Sequence, residues 1–470
     1  MDDVQAIITA TSNVQFQVVD HDLRWPRASV HTMPPEILSN VFKMGKAMCE
    51  DELEDEVDNG DDDNMPSGDM LPFEILVTHV NSHFRKTALI THSLWSSIHI
   101  GPGNSVNKVA EYMERSGRHK LDVQIDLLHP GYDAKIQQMI SLVVPHSFRW
   151  RTLYYRSVDA VQGNSVLSHI ADLSAPVLEE LSLSIDETQN SGHADAGNPS
   201  QRSILRGGAP HLFFVRLRGF ALYSFLPPLS AVRILHLDQT KGLALGCPMF
   251  RQILSAVAHL EHLSIYGDMV ADSAWPGAKD VIYFPELTSL RICDVCGRAY
   301  ASLLLGFDTP ALTTLALKGI QEHDLERLWS AGNPPMFSKL ERLVLCDCGL
   351  LEHDWRQVFR LFAGVTDFSL YSSKTTSTVL QLLAGSDPDL PWPHLKSLSL
   401  IIDLDDNDEI LIREVIAARQ SSGHPLEVFR LGICEEDSYF DCPTRITYFK
   451  NLDKWPPNHE FRDWDDNLFL

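Results

Sequence analysis

One short pattern of apolar positions recurs along the C-terminal two thirds of the chain. It reads apolar-x-x-apolar-x-apolar, and successive copies begin 20 to 34 residues apart. Alternation of apolar and polar residues predicts short strands with one buried face. Amphipathic stretches at 249–259, 322–329, 352–362 and 409–419 predict helices between the strands. The ten copies begin at Leu178, Leu212, Val232, Leu260, Leu287, Leu312, Leu340, Val365, Leu395 and Leu426.

This period is typical of leucine-rich repeats, in which each unit supplies a strand and a helix or irregular return. Two units carry cysteine at their ninth position, Cys348 and Cys434, where such repeats use Asn or Cys to satisfy backbone groups. The triplet Glu-His-Asp at 322–324 recurs at 352–354, which also indicates internal repetition. The prediction is an α/β leucine-rich-repeat solenoid over 147–442, with a degenerate unit near Trp150 and a cap or tail over 443–470.

A helical region precedes the repeats and contains an acidic run. Residues 50–63 read EDELEDEVDNGDDD, in which ten of fourteen positions are acidic. Such a block repels itself and has little to bury, so a disordered insertion is predicted at about 49–68. Upstream, Pro34 and Pro35 precede a short amphipathic helix whose apolar stripe is formed by Ile37, Leu38, Val41 and Phe42.

Three segments around this run resemble the F-box or F-box-like domain: MPPEILSNVF, VNSHFRKTAL and SLWSSIHI. The sequence departs from that family's pattern at Met33, at Ser82 and Phe84, and in the acidic insertion. The resemblance implies a small all-α domain over 33–100, followed by a helix and strand connector over 101–146. It also implies docking on a Skp-type adaptor through Pro35, Ile37, Leu38, Val41 and Phe42.

Charge and composition narrow the class of protein. Lys plus Arg number 39 against 63 Asp plus Glu, a net charge of −24, which argues against nucleic-acid binding and anionic membranes. The acidic start of the chain does not resemble a secretory signal, and we expect a poorly ordered leader over 1–32. No run of about 18 apolar residues suggests a membrane span. Eight cysteines are too few for a disulfide scaffold, so a cytoplasmic or nuclear location is expected.

Motifs for catalysis and metal binding are weak. The chain lacks a nucleophile elbow, a P-loop and a G-x-G-x-x-G loop, so neither an enzyme nor a cofactor is predicted.

The pairs Cys293/Cys296 and Cys346/Cys348 lie two repeats apart, roughly 10 Å, which is wide for one zinc ion. A calcium-loop pattern over 403–414 has Asp408 where glycine is needed, and we interpret Asp408 as a helix N-cap. His79 and His83 are spaced for a metal but have no third ligand. We therefore predict no metal site.

The third, fifth and seventh positions of the repeat should project from one face of the strands. Six bases and three acids occupy these positions, the reverse of the whole-chain balance. An acidic or phosphorylated protein segment is the hypothetical ligand, and an ordinary solvated face is the alternative. The candidate target-binding residues are Arg216, Arg218, His236, Tyr266, Arg291, Lys318, Arg342 and Tyr371.

An F-box-like region followed by leucine-rich repeats resembles the F-box proteins of leucine-rich-repeat type that are common in fungi. The resemblance implies a non-catalytic substrate receptor of an SCF-type ubiquitin ligase, with a Skp-type adaptor, a cullin scaffold and a target protein as partners. The alternative is a leucine-rich-repeat binding scaffold that has no ligase association. Burial of the apolar stripe within the protein's own core would favour the scaffold.

Overall fold

The computed structural model describes residues 33–57, 71–127, 134–158, 160–185, 202–239, 245–267, 269–270, 275, 281–293, 300–330, 337–371, 375–385, 390–401, 406–432 and 446–449. Two compact units divide the chain, and the main boundary lies between Thr91 and His92. No helix in these ranges is long and apolar enough to cross a membrane.

Three helices form the first unit: α1 (Pro35–Val57), which belongs to it as far as Leu53, α2 (Phe73–Val80) and α3 (Ser82–Ile90). Asn81 separates α2 from α3, and its side chain accepts a hydrogen bond from the Phe84 amide (2.9 Å), which caps α3. Phe42 of α1 meets the Phe84 ring edge-on, with ring centroids 5.3 Å apart. Gly45 lies against the Phe73 ring, where a β-carbon would collide. Helices α2 and α3 therefore pack against the side of α1 that carries Phe42 and Gly45.

The boundaries of this unit differ from the predicted ones. Helix α1 continues through residues 50–57, which were expected to be disordered, because glutamate is a good helix former even where charges repel. Residues 58–68 of the predicted insertion lie outside the described residues. Trp95, expected to close the F-box-like region, belongs to the second unit, where it is fully buried against Tyr112 (ring centroids 5.2 Å apart). The main boundary between the two compact units thus follows Thr91, whereas the sequence places the end of the F-box-like region at residue 100.

Ten further helices belong to the second unit in the described ranges. They are α4 (Val106–Arg115), α5 (Ala134–Val143), α6 (Ala160–Ser168), α7 (Phe220–Ser224), α8 (Cys247–Ser255), α9 (Tyr300–Gly306), α10 (Glu326–Ser330), α11 (Glu352–Leu361), α12 (Thr376–Ala384) and α13 (Asp406–Ser421). The helix predicted over 322–329 starts late, since His323 adopts a left-handed backbone conformation (φ 70°) that is not helical. Asp408 lies inside α13 rather than at its N-cap.

Eighteen strands are described. They are β1 (Ser97–Ile100), β2 (Leu121–Leu127), β3 (Trp150–Ser157), β4 (Glu180–Ile185), β5 (Arg202–Ser203), β6 (Phe214–Gly219), β7 (Phe225–Leu226), β8 (Ile234–Asp238), β9 (His262–Tyr266), β10 (Ile282–Tyr283), β11 (Ser289–Cys293), β12 (Phe307–Asp308), β13 (Thr314–Lys318), β14 (Arg342–Cys346), β15 (Asp367–Tyr371), β16 (Ser397–Ile401), β17 (Val428–Gly432) and β18 (Ile446–Phe449).

One large parallel sheet organises the second unit. Its order is β1-β2-β3-β4-β6-β8-β9-β11-β13-β14-β15-β16-β17, and β18 adds a fourteenth strand beside β17. Pairs β5/β7 and β10/β12 form separate two-stranded sheets. The sheet begins at Ser97, so the region predicted as a connector over 101–146 supplies β2 to it. The fold is mixed α/β, as the sequence predicts. Of the predicted tail, only β18 is described, and the rest, like the predicted leader over 1–32, lies outside the described residues.

Every one of the ten repeated patterns forms a strand of this sheet, in register with its neighbours. The fourth position, for example, runs Leu263↔Leu290↔Leu315↔Leu343 across adjacent strands, and the sixth runs Ile265↔Ile292↔Leu317↔Leu345. In all ten patterns the fourth- and sixth-position side chains are at most 2% exposed. Two continuous apolar rows therefore form the core beneath one face of the sheet, and we call the opposite face, which carries positions three, five and seven, the polar face.

Candidate functional site

Helix α1 carries two neighbouring apolar stripes with different environments. The inner side chains Leu38 and Phe42 are 1% and 3% exposed. The outer stripe consists of Ile37, Val41, Met44 and Met48, which are 52%, 49%, 67% and 60% exposed. Successive residues of the outer stripe are spaced four, three and four positions apart, so all four lie along one helix face.

The five predicted adaptor-binding residues are thus divided by the structure. Pro35, Ile37 and Val41 are exposed, whereas Leu38 and Phe42 are core residues of the first unit. Adjacent positions on a helix are about 100° apart, so Ile37 cannot share the buried direction of Leu38. Met44 and Met48 belong to the exposed stripe but were missed, although their spacing from Ile37 and Val41 is visible in the sequence.

The first unit is unusually rich in exposed apolar side chains. Eight of the sixteen large apolar side chains that are exposed in the described parts of the chain lie between residues 33 and 91. Besides the outer stripe they are Leu71, Leu76, Val80 and Ile90. Scattered apolar residues are normal on a surface, but concentration in one small unit marks an interaction surface. This surface is the first candidate site.

All eight predicted target-binding residues lie on the polar face of the sheet. Cross-strand register aligns Arg216 with His236, and it continues the same row through Ser264 to Arg291. The next row toward the carboxyl ends of the strands contains Arg218, Tyr266, Lys318 and Tyr371. Arg342 lies at the start of β14, opposite Asp367. The structure therefore brings the predicted set together on one face.

Three of the eight predicted target-binding residues are buried in the structure. Arg216, His236 and Arg291 are 5%, 2% and 5% exposed. The Arg216 Nε atom donates to Asp238 Oδ2 at 2.7 Å, and both side chains of this ion pair are buried. His236 meets the Phe214 ring edge-on at 5.3 Å. Because buried charges remain only where they are paired, Arg216 holds β6 to β8 and is not an available contact.

The other five residues remain partly exposed: Arg218, Tyr266, Lys318, Arg342 and Tyr371. Lys318 lies 3.5 Å from Asp347, and the Arg342 guanidinium lies 3.3 Å from Asp367. Burial raises the pKa of the Tyr266 hydroxyl; the Cys293 thiol also raises it, and Arg218 opposes the shift. The neutral phenol is thus held beside a cation. These five side chains form the second candidate site, which we call the cationic row.

Three of the five cysteines in the described ranges are buried packing residues. Burial raises the pKa of the Cys346 thiol to about 12 and that of Cys348 well above its ordinary value. The Cys348 thiol donates to the Cys346 carbonyl at 3.4 Å, the local backbone role expected at the ninth repeat position. Cys293 is also buried, and Cys296 and Cys434 lie outside the described residues.

The metal patterns considered in the sequence are not assembled in the described ranges. No group of three or more His, Cys, Asp or Glu side chains there could hold a metal ion. His79 lies in α2 and His83 in α3, and His83 Nε2 is 2.9 Å from the Met33 carbonyl oxygen. The first half of the calcium pattern, through residue 405, lies outside the described residues.

Comparison with known proteins adds no assignment. No protein-family model matches the chain, and no curated protein matches its sequence at a significant level.

Proposed function

We propose that this protein is a substrate-recognition subunit of an SCF-type E3 ubiquitin ligase. In this proposal the first unit is an F-box-like domain that docks on a Skp-type adaptor, and the second is a leucine-rich-repeat solenoid that binds the target. The protein itself is non-catalytic. It acts by holding the target at high effective concentration near a conjugating enzyme.

The outer stripe of α1 is the observation that carries the proposal. Leu38 and Phe42 hold the helix to its own unit, while Ile37 and Val41 point away from that core. An amphipathic helix commonly binds a partner by laying such a stripe into an apolar groove. Covering one half-exposed side chain of this size contributes about 1 kcal/mol, so the outer stripe supplies about 4 kcal/mol of the docking free energy and further contacts of the first unit must supply the rest.

The ladder of ten in-register strands supports the solenoid assignment. Each unit contributes one parallel strand, and no single strand could bury its apolar side alone, so neighbouring units must stack. The ninth-position contact of Cys348 fits the same architecture. The cationic row is then the proposed target surface, and its Arg, Lys and Tyr side chains suit an acidic or phosphorylated segment.

Affinity purification of the tagged full-length protein tests the docking step. The variant Ile37→Asp/Val41→Asp places charge on the outer stripe without altering the buried residues. A matched control is Val161→Asp, which changes a 76% exposed apolar residue in the second unit. We expect adaptor and cullin with the wild type and the control and a loss of at least tenfold with the double variant.

Leu38 is not a suitable test position, because a charge at this buried site would unfold the first unit. Circular dichroism should show that Ile37→Asp/Val41→Asp keeps the wild-type helix content. Folded wild-type protein that captures neither adaptor nor cullin would refute the ligase proposal. It would leave a repeat-based scaffold that uses the outer stripe for another partner.

A further inference from the structure

Four exposed apolar side chains of the first unit lie outside the outer stripe of α1. They are Leu71, Leu76, Val80 and Ile90. Leu76 and Val80 are 46% and 62% exposed, and they lie one helical turn apart on the same face of α2. Helix α2 therefore presents a small apolar surface to which the docking of α1 gives no role.

Two cations follow this apolar pair in α3. Arg85 and Lys86 are exposed, and neither forms an ion pair in the part of the chain that the structure describes. Outside the acidic run, residues 33–49 and 71–91 contain four Lys or Arg and two Asp or Glu, the reverse of the whole-chain balance. We call Leu76, Val80, Arg85 and Lys86 the α2–α3 surface. Its chemistry favours a segment that combines apolar side chains with carboxylates.

The predicted leader contains such a segment. Residues 14–22 read VQFQVVDHD, and we call them the leader segment. Side chains alternate in direction along an extended chain, so alternate residues of this segment share one side. That side consists of Val14, Phe16, Val18, Asp20 and Asp22. It presents three apolar groups followed by two carboxylates. The acidic run over 50–63 lacks this pattern, because its only apolar residues are Leu53 and Val57.

The leader joins the first unit beside the α2–α3 surface. Met33 is the first described residue, and its carbonyl oxygen is 2.9 Å from His83 Nε2 in the first turn of α3. His83 itself lies between Val80 and Arg85 in the sequence. Asp22 lies eleven positions before Met33, and an extended chain of that length spans roughly 36 Å, so the leader segment can reach both helices. Its carboxylates are also nearer to this entry point than its apolar residues are, as the cations of α3 are nearer than Leu76.

We propose that the leader segment packs on the α2–α3 surface, with its apolar side chains over Leu76 and Val80 and its carboxylates beside Arg85 and Lys86. Both partners belong to one chain, so their effective concentration is on the order of millimolar and a weak contact is sufficient. A leader that is poorly ordered by itself is compatible with this contact, since such segments order when they bind a surface. The inference does not depend on the ligase proposal, and it leaves the outer stripe of α1 to the proposed adaptor.

Photo-crosslinking in the full-length protein identifies what covers the α2–α3 surface. The photoreactive residue p-benzoylphenylalanine replaces Val80, and mass spectrometry maps the peptide that becomes joined to it. We expect a cross-link to residues 14–22 that forms within one chain when isotope-labelled and unlabelled protein are mixed. The same residue in place of Val161, a 76% exposed position of α6, is the control and should not capture the leader.

Matched variants test the apolar half of the contact. Phe16→Asp/Val18→Asp should lower the yield of the leader cross-link at least tenfold, because it places charge over the apolar pair of α2. Gln15→Asp/Gln17→Asp adds the same charge to the opposite side of the leader segment and should keep the wild-type yield. Equal yields from the two variants would contradict the proposed side of contact.

Charge reversal tests the polar half. Arg85→Glu/Lys86→Glu should lower the yield at least fivefold, and the further change Asp20→Lys/Asp22→Lys should restore it. Restoration would also show that the reversed cations leave the first unit folded, and circular dichroism checks the helix content of each variant. The proposal would be overturned by a cross-link from Val80 to residues 50–70, to the second unit or to a second copy in place of the leader, and equally by the absence of any leader cross-link.

Discussion

Arg419 is a buried cation that is held by backbone groups. Its side chain is 0% exposed in α13, and its guanidinium donates to the carbonyl oxygens of Pro391 (2.6 Å) and Trp392 (3.2 Å). Burial lowers the pKa of this guanidinium to about 10, so it stays charged at neutral pH. Trp392 has a left-handed backbone (φ 47°), and its indole packs against Phe359 with ring centroids 4.7 Å apart. Arg419 therefore holds an unusual turn that positions a core aromatic residue.

Replacing Arg419 with methionine should lower the free energy of unfolding by about 2 kcal/mol, because two carbonyls lose a charged donor. Arg419→Lys should also be destabilised, since one ammonium group does not reproduce the planar guanidinium. Urea unfolding followed by tryptophan fluorescence measures both. Arg413→Met is the control on the same helix, where an exposed pair with Glu409 contributes about 0.5 kcal/mol or less. Equal losses in Arg419→Met and Arg413→Met would contradict this account.

Thiol labelling tests the environment of the cysteines. A buried thiol with a pKa of about 12 stays protonated between pH 7 and pH 9, so Cys346 should resist alkylation throughout this range in the folded protein. The sign follows from the raised pKa, since the reactive thiolate appears only as the pH approaches 12. Cys247 is partly exposed and provides the internal comparison. Peptide mapping by mass spectrometry should find Cys346 labelled only after denaturation. Rapid labelling of Cys346 in the folded protein would show that this end of β14 is accessible to solvent.

At the scale of the elements, the apolar rows explain why the sheet persists. Leu290 of β11 is fully buried in the fourth-position row, between Leu263 and Leu315. Leu290→Ala should cost about 2 to 5 kcal/mol, because it leaves a cavity that neighbouring strands cannot fill. Leu142→Ala, at a 37% exposed position of α5, should cost less than about 1 kcal/mol. The midpoint of thermal unfolding compares the two, and similar shifts would mean that the row is not tightly packed.

The sequence alone was sufficient to predict the positions of these strands, but it could not predict which side chains of the candidate sites are exposed. The reason is physical. A strand's alternation is local, so the ten repeated patterns predicted ten of the fourteen strands of the large sheet. The choice between Ile37 and Leu38 as the buried side of α1 depends on the helix that packs against it, which the local pattern does not specify. The Arg216–Asp238 pair depends on cross-strand register between residues 22 positions apart. Both distinctions arise from tertiary packing.

At the scale of the whole molecule, the chain presents apolar and cationic surfaces that are suited to different partners. The outer stripe of α1 is apolar, whereas the cationic row is charged on a protein of net charge −24. An overall negative protein repels acidic partners except where such a row attracts them. A variant that disrupts the outer stripe should therefore still bind the proposed target, and a variant that disrupts the cationic row should still bind the proposed adaptor. This independence separates a receptor that links two proteins from a scaffold with a single binding face.

Charge reversal in the cationic row makes that independence measurable. Arg218→Glu/Lys318→Glu should reduce target capture at least tenfold in proximity labelling, because both partly exposed cations become repulsive to an acidic segment. Adaptor recovery should stay at the wild-type level. Arg356→Glu provides a charge-reversed control on α11, where the 50% exposed arginine pairs with Glu352. Retention of every target by the folded double variant would exclude the cationic row as the target surface; parallel loss of adaptor and target would instead indicate a defect in folding.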